Sequence, residues 1–374
     1  MKSQSALDRS KAIPLDRKEI DWSESDEFLW YNAEDLTLAG KGWLSESRRY
    51  ERFPSRAEKT IPEKPWRQSL ACAGLSLRFE SDATFFFVQS TDYDGRLNVN
   101  QIAPNSPCLY VKQAGRWQWL GIAKQVGETP IHKLMNARIP AQRREYLLYL
   151  PLLRGMTKLE IAIPSDAYIA PSKPQLDKPI VFYGTSITQG GCASRPGTNH
   201  VAMIERHFDY PVINLGFSGS ARMEPEVVDI VNELDACFFV LDCLPNMVAS
   251  QIRERFAPAV QKLRANHPDT PIVIVDSVIY QDAYLVPSRY ERYSTSNTAQ
   301  REEFAKLIAS GMTGLHYIQA HELFTDNDEA TVDGTHPNDV GFRSMAQTFI
   351  KVLTPLIPQK ADLNTKRENG FEKK

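Results

Sequence analysis

The sequence predicts an α/β protein with a three-layer, doubly wound parallel sheet in its C-terminal half and a β-sandwich in front of it. Two observations support this prediction. From residue 179 onward, short apolar strands alternate with helical patterns, which is typical of parallel strands joined by crossover helices. Residues 26–170 instead contain short aromatic and β-branched segments separated by turn residues, which is typical of a sandwich.

The N-terminal strands are predicted from runs of aromatic and β-branched residues, which fall at 75–81, 84–91, 108–123 and 144–153. A stretch with three prolines and few apolar residues follows and predicts a linker. The predicted organisation is an N-terminal extension (1–25), a β-sandwich accessory domain (26–170), a linker (171–178), a catalytic domain (179–358) and a polar tail expected to be disordered (359–374).

The C-terminal half is predicted to contain five strands, at 180–184, 212–216, 236–242, 272–277 and 315–319. The helices between and after them are predicted around 198–208, 224–234, 248–266, 297–311 and 339–354. Ligands of such sheets bind beyond the carboxyl ends of the strands. The loops that follow the strands are therefore the expected place for a functional site.

Composition excludes several classes of function. The chain has 374 residues, 42% of them hydrophobic and 24% charged, with a formal net charge of −2. This balance does not suggest nucleic acid as a partner. No run of about 18 apolar residues predicts a membrane span. The N-terminus lacks the apolar core of a secretory signal, which predicts a cytoplasmic location, with a secreted or periplasmic location left open if a signal has been removed.

Two loops carry the catalytic residue types of a serine hydrolase. Ser186 follows the first C-terminal strand, and Asp333 and His336 lie three residues apart near the C-terminus. A serine hydroxyl needs a base to remove its proton, and histidine exchanges protons near neutral pH. A carboxylate can hold the other imidazole nitrogen and stabilise the imidazolium. We therefore predict that Ser186 is the nucleophile, His336 the base and Asp333 its partner.

A tetrahedral intermediate also needs donors for its oxyanion. The predicted donors are the N–H of Ser186, the N–H of Gly216 and the side-chain amide of Asn246, all in loops after strands. Arg222 follows the glycine-rich turn and is a weaker candidate for binding a polar substrate; a solvated surface charge is the alternative. Asn246 and Ser186 have the alternative role of helix caps.

At these residues the sequence resembles the SGNH (GDSL-like) esterases and acylhydrolases, whose four sequence blocks occur here in order. The four matching segments are Gly184–Thr188 for G-D-S-x-T, Asn214–Gly219 for the oxyanion-glycine block, Leu244–Asn246 for G-x-N-D and Asp333–Pro337 for D-x-x-H. Thr185 replaces the family's aspartate, and the third block keeps only Asn246. The resemblance covers residues 178–355 and implies a flavodoxin-like SGNH hydrolase fold.

The N-terminal half resembles a jelly-roll-like module with a G-x-D-L-Y signature that precedes the catalytic domain in some SGNH esterases. Here Leu109 and Tyr110 keep the end of the signature, while its glycine and aspartate are absent. Taken with the resemblance of the C-terminal half, this implies a short-chain acyl ester, such as an acetylated carbohydrate, as the substrate, with no cofactor or metal.

Other chemistries fit less well. The G-x-S-x-G elbow of α/β-hydrolases fails because Thr188 stands at its second glycine. The glycines after residue 183 fit neither phosphate-binding motif. His316 and His321 lack metal-ligand spacing on a strand. Cys192 has no matching sequence block as a nucleophile. The aromatic stretch 113–120 is interpreted as packing, with a sugar-stacking platform as the alternative.

The predicted function is hydrolysis of short-chain acyl esters through an acyl-enzyme on Ser186. A lipase or thioesterase that acts on longer acyl chains is the alternative within the enzyme class. The segment 281–297 is polar and aromatic, and this composition favours a carbohydrate over a lipid. A non-catalytic carbohydrate-binding protein is the alternative from another class, because two blocks depart from the family pattern.

Overall fold

The computed structural model describes residues 6–8, 12–14, 27–46, 48–92, 105–126, 131–135, 137–325 and 328–358. The predicted tail (359–374) lies outside the described residues, as does most of the predicted N-terminal extension (1–25).

The N-terminal half forms two sheets of antiparallel strands. Its strands are β1 (Ile13–Pro14), β2 (Phe28–Asn32), β3 (Thr37–Ala39), β4 (Ser76–Ser81), β5 (Phe87–Asp92), β6 (Cys108–Gln113), β7 (Arg116–Ile122), β8 (Lys124–Gln125), β9 (His132–Lys133), β10 (Arg144–Tyr149), β11 (Met156–Pro164) and β12 (Ile169–Pro171). One sheet has the order β1-β2-β11-β5-β9-β8 and the other β12-β4-β10-β6-β7, with β3 paired to β4.

The two sheets enclose a core of their own, to which Leu77 and Phe79 of β4 and Phe87 and Ile161 of the other sheet contribute fully buried side chains. Alternate residues of facing strands fill such a core. The predicted sandwich is therefore confirmed.

The C-terminal half contains one parallel sheet of five strands. These strands are β13 (Ile180–Gly184), β14 (Val212–Gly216), β15 (Phe238–Asp242), β16 (Ile272–Val275) and β17 (Leu315–Ile318). Their order is β14-β13-β15-β16-β17. The first strand, β13, therefore lies inside the sheet, with β14 on one side of it and β15, β16 and β17 on the other. The carboxyl ends of β13, β14 and β15 therefore meet at one edge, as the sequence predicts.

Eight α-helices are described. They are α1 (Glu63–Ser69), α2 (Ser186–Gln189), α3 (His200–Phe208), α4 (Pro225–Val231), α5 (Ala249–Asn266), α6 (Pro287–Ala309), α7 (Ala320–Leu323) and α8 (Asp339–Leu353). Apolar residues of α3 and α8 pack on one face of the parallel sheet and those of α4, α5 and α6 on the other. This gives the three predicted layers.

Part of the N-terminal half belongs to the core of the parallel sheet. We call residues 43–70 the bridging segment. Its side chains of Trp43, Phe53 and Trp66 are buried against Phe217 and its neighbours on the α4–α6 side of that sheet. The domain boundaries predicted from composition stay a prediction, and the packing of the bridging segment crosses them.

No helix in the described part of the chain combines the length and the apolar character needed to cross a membrane.

Candidate active site

The proposed nucleophile lies where β13 turns sharply into α2. Thr185 is the N-cap of that helix, and its hydroxyl accepts a hydrogen bond from the N–H of Ile187 at 3.3 Å. A Cβ at Gly184 would lie 2.1 Å from Oγ1 of Thr188 and 2.8 Å from the carbonyl oxygen of Asp242. Only glycine therefore allows the strand end to pack this closely on its neighbours. Ser186 is half-buried, with its hydroxyl at the carboxyl edge of the sheet.

The structure brings together Ser186, His336 and Asp333. Oγ of Ser186 lies 2.9 Å from Nε2 of His336, and Nδ1 of His336 lies 2.7 Å from Oδ2 of Asp333. Ser186 and His336 are 150 residues apart in sequence, so their contact depends on the fold. The order hydroxyl, imidazole, carboxylate is that of a hydrolytic triad.

Asp333 is held as an anion by donors from its own loop. Its Oδ1 accepts the backbone N–H of His336 at 2.8 Å and that of Thr335 at 3.0 Å. Burial acts to raise the pKa of the Asp333 carboxyl. The hydrogen bonds from His336 and Thr335 outweigh burial, so the pKa lies below its ordinary value. The carboxylate is therefore available to fix the imidazole through Nδ1.

Cys192 lies close enough to Asp333 to be affected by its charge. Burial, and then the negative charge of Asp333, raise the pKa of the Cys192 thiol. A raised pKa lowers the thiolate population, and the thiolate is the nucleophilic form. This electrostatic environment does not favour Cys192 as a nucleophile.

The N–H of Gly216, which the sequence predicts as an oxyanion donor, has a hydrogen-bond partner inside the protein. Its N–H already donates to the side-chain oxygen of Asn214 at 2.9 Å. A Cβ at this position would lie 2.1 Å from the backbone nitrogen of Gln189, in the helix that begins with Ser186. The glycine is thus required by close packing of β14 on α2, and its role as an oxyanion donor stays a prediction.

Gly219 is a candidate donor that the sequence analysis does not single out. It lies in the turn after β14 with φ of +63°, a conformation that glycine adopts without strain. Ser218 before it donates through both its N–H and its hydroxyl to the side-chain oxygen of Gln189, each at 2.8 Å. Among the described residues, no acceptor bonds the N–H of Gly219. The sequence signal for this candidate is the second glycine of the segment Asn214–Gly219.

Asn246 lies beside the same turn. Its side-chain nitrogen donates one hydrogen bond to the carbonyl oxygen of Ser220. A primary amide has two N–H donors, so one remains for a ligand. Asn246 ends a short 3₁₀ helix (Leu244–Asn246) that follows β15, and it is half-buried. Its position is compatible with the predicted role, which stays a prediction.

Arg222 follows the turn and has an exposed side chain. Its neighbours Ala221 and Met223 both have left-handed backbone, with φ of +58° and +50°. Such conformations cost about 1 kcal/mol or more for residues with a Cβ. Both neighbours are buried, whereas the side chain of Arg222 is exposed. Its role in substrate binding stays a prediction.

A groove of about 1560 Å³ lies beside the loop of Asp333. Four tyrosines line it, together with the carboxylates of Asp282, Asp328, Glu329 and Asp333; the tyrosines are Tyr280, Tyr284, Tyr290 and Tyr293. Tyr284 is 83% exposed and Tyr290 56% exposed. Leu285, next to the groove, is 74% exposed, so the segment 281–297 presents apolar as well as aromatic surface.

Each half of the chain matches a known protein family. Residues 177–354 match the GDSL-like lipase/acylhydrolase family, and residues 28–169 match the family described as the N-terminus of SGNH-hydrolase-type esterases. The comparison with curated proteins returned no match.

Solved structures show the same two-part architecture. A structure described as a GDSL-like lipase from Bacteroides ovatus is 33% identical, with a TM-score of 0.82, and the alignment covers 88% of this chain and 98% of that one. A salicylyl-acyltransferase from a tetracycline biosynthetic pathway is 20% identical, with a TM-score of 0.66 over 86% of this chain and 95% of that one. A family two carbohydrate esterase from Clostridium thermocellum is 13% identical, with a TM-score of 0.53 over 77% of this chain and 94% of that one.

The second and third of these structures support the fold alone. The first, at 33% identity over nearly its whole length, and the two family matches assign the family as well. The chain therefore belongs to the GDSL-like lipase and acylhydrolase family, with the N-terminal domain of SGNH-hydrolase-type esterases, and is a carboxylic ester hydrolase.

Proposed function

We propose that this protein hydrolyses short-chain acyl esters, with Ser186 as the nucleophile, His336 as the general base and acid, and Asp333 as the residue that orients the imidazole. The observation behind this proposal is the pair of short contacts, 2.9 Å from Oγ of Ser186 to Nε2 of His336 and 2.7 Å from Nδ1 of His336 to Asp333. Both distances are within hydrogen-bond reach, which proton transfer requires.

In the first half of the reaction, Oγ of Ser186 attacks the ester carbonyl carbon while its proton passes to Nε2 of His336. The tetrahedral intermediate collapses when the C–O bond to the alcohol breaks and His336 returns the proton to the leaving oxygen. In the second half, water loses a proton to His336 and attacks the acyl-enzyme. Ser186 then leaves with that proton, and the acid is released.

The oxyanion needs fixed donors in both halves. We assign this role to the N–H of Ser186, the N–H of Gly219 and the remaining amide hydrogen of Asn246. Support comes from the turn itself, in which Ser218 and Ser220 are bonded to Gln189 and Asn246 on either side of Gly219.

We further propose that the alcohol part of the substrate is a carbohydrate and that the acyl group is acetyl. Tyrosine rings stack on the apolar faces of sugars, and carboxylates accept hydrogen bonds from their hydroxyls. The groove next to Asp333 offers both types of group. The carbohydrate esterase from Clostridium thermocellum, whose structure contains cellohexaose, has a similar fold.

A longer acyl chain is the second candidate, and a specific observation favours it. Val332 lines the groove and is 58% exposed, and Leu285, which follows the groove residue Tyr284, is 74% exposed. Exposed apolar side chains next to a groove are a feature of binding sites for apolar ligands. The length of the acyl chain that is hydrolysed fastest separates the two candidates.

The test is hydrolysis of p-nitrophenyl esters by the wild type and by Ser186→Ala. The substitution is expected to lower kcat by at least about 10⁴-fold, because the nucleophile is lost. Equal rates in the two proteins would overturn the esterase mechanism. Acetate is expected to react faster than esters of eight or more carbons, and the reverse order would favour the second candidate. Acetyl release from acetylated oligosaccharides, measured in parallel, tests the carbohydrate; no release would remove it.

A further inference from the structure

Arg52 is a buried cation whose hydrogen bonds all go to main-chain carbonyl groups. It belongs to the bridging segment and is 2% exposed. Nε donates to Ala71 at 2.8 Å, and Nη2 donates to Gln68. Nη1 donates to the carbonyl oxygens of Asn214 at 3.1 Å and Gly216 at 2.6 Å. No carboxylate of the described residues forms an ion pair with it within 4.0 Å.

A buried arginine without a carboxylate is expensive, since desolvation of the charge must be offset by hydrogen bonds alone. Burial lowers the pKa of the Arg52 guanidinium to about 9, which still leaves it charged at neutral pH. The four carbonyl groups that surround it supply the compensating dipoles. Such an arrangement fixes the positions of those carbonyls, because a planar guanidinium offers its donors in a rigid fork.

Two of the four carbonyls belong to the edge of the catalytic sheet. β14 is the outermost strand, so the carbonyl groups on its outer side have no neighbouring strand. Residues two apart in a strand direct their carbonyls to the same side. Asn214 and Gly216 are such a pair, and Arg52 satisfies both.

The end of β14 is connected to the proposed site by the chain and by a hydrogen bond. Gly216 is the last residue of β14, and the N–H of Phe217 donates to the carbonyl oxygen of Gly184 at 2.9 Å, two residues before Ser186. The guanidinium carbon also lies 4.8 Å from the centre of the Phe217 ring. Arg52 therefore holds the start of the turn that contains Gly219. In the same turn, Ser218 is hydrogen-bonded to Gln189 and Ser220 to Asn246.

We propose that Arg52 is a positioning residue for the oxyanion pocket, through which the N-terminal half of the chain contributes to catalysis. It acts by fixing the carbonyls of Asn214 and Gly216 and the ring of Phe217, so that the N–H of Gly219 keeps its place. Because Gly219 lies in the oxyanion pocket proposed above, the role of Arg52 depends on that proposed function. Oxyanion donors act only within about 2.7–3.1 Å of the developing charge, so a small displacement of the turn is costly.

The experiment compares Arg52→Lys and Arg52→Met with the wild type on p-nitrophenyl acetate. We expect kcat to fall about 100-fold in Arg52→Met and about tenfold in Arg52→Lys, since lysine restores the charge without the fork. KM is expected to stay within about twofold, because the donors act in the transition state. The midpoint of the pH–rate profile is expected not to move, since His336 and Asp333 are untouched.

A second measurement separates positioning from folding. Butylboronic acid forms a tetrahedral adduct with a serine hydroxyl, and its affinity is expected to weaken in parallel with kcat. The matched control is Arg78→Met, which removes another buried arginine of the N-terminal half that pairs with Glu145 and Asp209. This control is expected to lose thermal stability but to keep the wild-type kcat and boronate affinity.

The inference is overturned if folded Arg52→Met keeps kcat and boronate affinity within about twofold of the wild type. Asn246→Ala and Ser186→Ala show whether only the role of Arg52 is wrong or the proposed function as well. If Asn246→Ala lowers kcat while the Arg52 variants do not, the oxyanion pocket stands and only the role of Arg52 is wrong. If Ser186→Ala retains hydrolysis and binds the boronate, the proposed function itself has failed.

Discussion

Asp242 is a buried carboxyl group at the end of β15 that the proposed mechanism does not use. It is 2% exposed, and its Oδ2 accepts the hydroxyl of Thr188 at 2.6 Å. Burial raises the pKa of the Asp242 carboxyl from 3.8 to about 7, and the hydrogen bond from Thr188 opposes this only in part. The group is therefore neutral in the folded protein at mildly acidic pH and ionised in the unfolded chain.

We predict that Asp242→Asn changes the pH dependence of stability. Below pH 4 the carboxyl is neutral in both states, and its contribution is fully present. As pH rises toward 7, only the folded state keeps the proton, so the wild type loses stability. Relative to the wild type, Asp242→Asn should gain about 3–4 kcal/mol at most between pH 4 and pH 8. Urea unfolding of both proteins at the two pH values measures this, and a pH-independent difference would contradict it.

The site residues differ in how well the sequence predicts them. Ser186, Asp333 and His336 lie in short blocks after strands, so the predicted fold alone brings them to one edge. The choice between Gly216 and Gly219 depends on which N–H is already bonded. Gly216 donates to Asn214 and Gly219 has no described acceptor, and neither fact is visible in the residue pattern. The role of Arg52 is even harder to predict from the sequence, since its partners on β14 lie 162 and 164 residues away.

Helix α6 is the element that the sequence predicts least well. The pattern predicts a helix over 297–311, whereas the structure has one from Pro287 to Ala309. Proline at the first helical position starts the helix. The following residues lack a regular apolar pattern, since several of them, such as Arg289 and Arg292, form hydrogen bonds to loops. Residues 287–296, which lie before the predicted helix, are thus helical.

The early turns of α6 support two loops of the proposed site. Arg292 donates to the carbonyl oxygens of Met247 at 2.7 Å and Pro245 at 3.0 Å, on both sides of Asn246. Arg289 donates to the hydroxyl of Thr335 at 2.7 Å, next to His336. Both contacts join the start of one helix to main-chain or hydroxyl groups of separate loops.

We predict that Arg292→Met lowers kcat about tenfold with little change in KM, because the loop that carries Asn246 loses both hydrogen bonds from the Arg292 guanidinium and keeps the one from the Ser296 hydroxyl to Met247. Steady-state hydrolysis of p-nitrophenyl acetate measures this. Glu302→Gln is the matched control, since Glu302 also lies on α6 and forms an exposed ion pair with Arg253 of α5. Surface pairs contribute about 0–1 kcal/mol, so its kcat should equal that of the wild type. Equal kcat in both variants would show that α6 does not position Asn246.

At the scale of the whole molecule, the sequence predicts the two sheets but not how the halves join. Composition changes near residue 170, and this change separates the sandwich from the α/β half. The bridging segment carries no such signal, because Trp43, Phe53 and Trp66 follow neither strand nor helix periodicity. Their partners are apolar residues of the parallel sheet and its helices, which come more than a hundred residues later.

The contact between the halves is also polar. Asp209, at the end of α3, accepts hydrogen bonds from Lys112 at 2.7 Å, Arg78 at 3.1 Å and the indole of Trp117 at 3.0 Å. Burial acts to raise the pKa of the Asp209 carboxyl, but Lys112, Trp117 and Arg78 lower it to about 2. Tyr110 of the sandwich donates to the carbonyl oxygen of Gly197, in the chain between α2 and α3. The sandwich thus contacts the segment that follows the nucleophile.

We predict that a chain of residues 171–374 does not fold cooperatively. Without the bridging segment, Phe217 and the α4–α6 side of the sheet lose their cover, and the outer carbonyls of β14 lose Arg52. A large exposed apolar face and an open sheet edge both promote association. Thermal unfolding followed by circular dichroism should show no sharp transition for this fragment, and it should release no p-nitrophenol from the acetate.

The control is a chain that ends at residue 358, because it keeps every described contact between the two halves. It is expected to unfold in one sharp transition and to hydrolyse the acetate at the wild-type rate. If the 171–374 fragment instead unfolds cooperatively and matches that rate, the bridging segment is dispensable for the parallel sheet. The contribution of Arg52 to the oxyanion pocket would then be excluded at the same time, since the fragment lacks that residue.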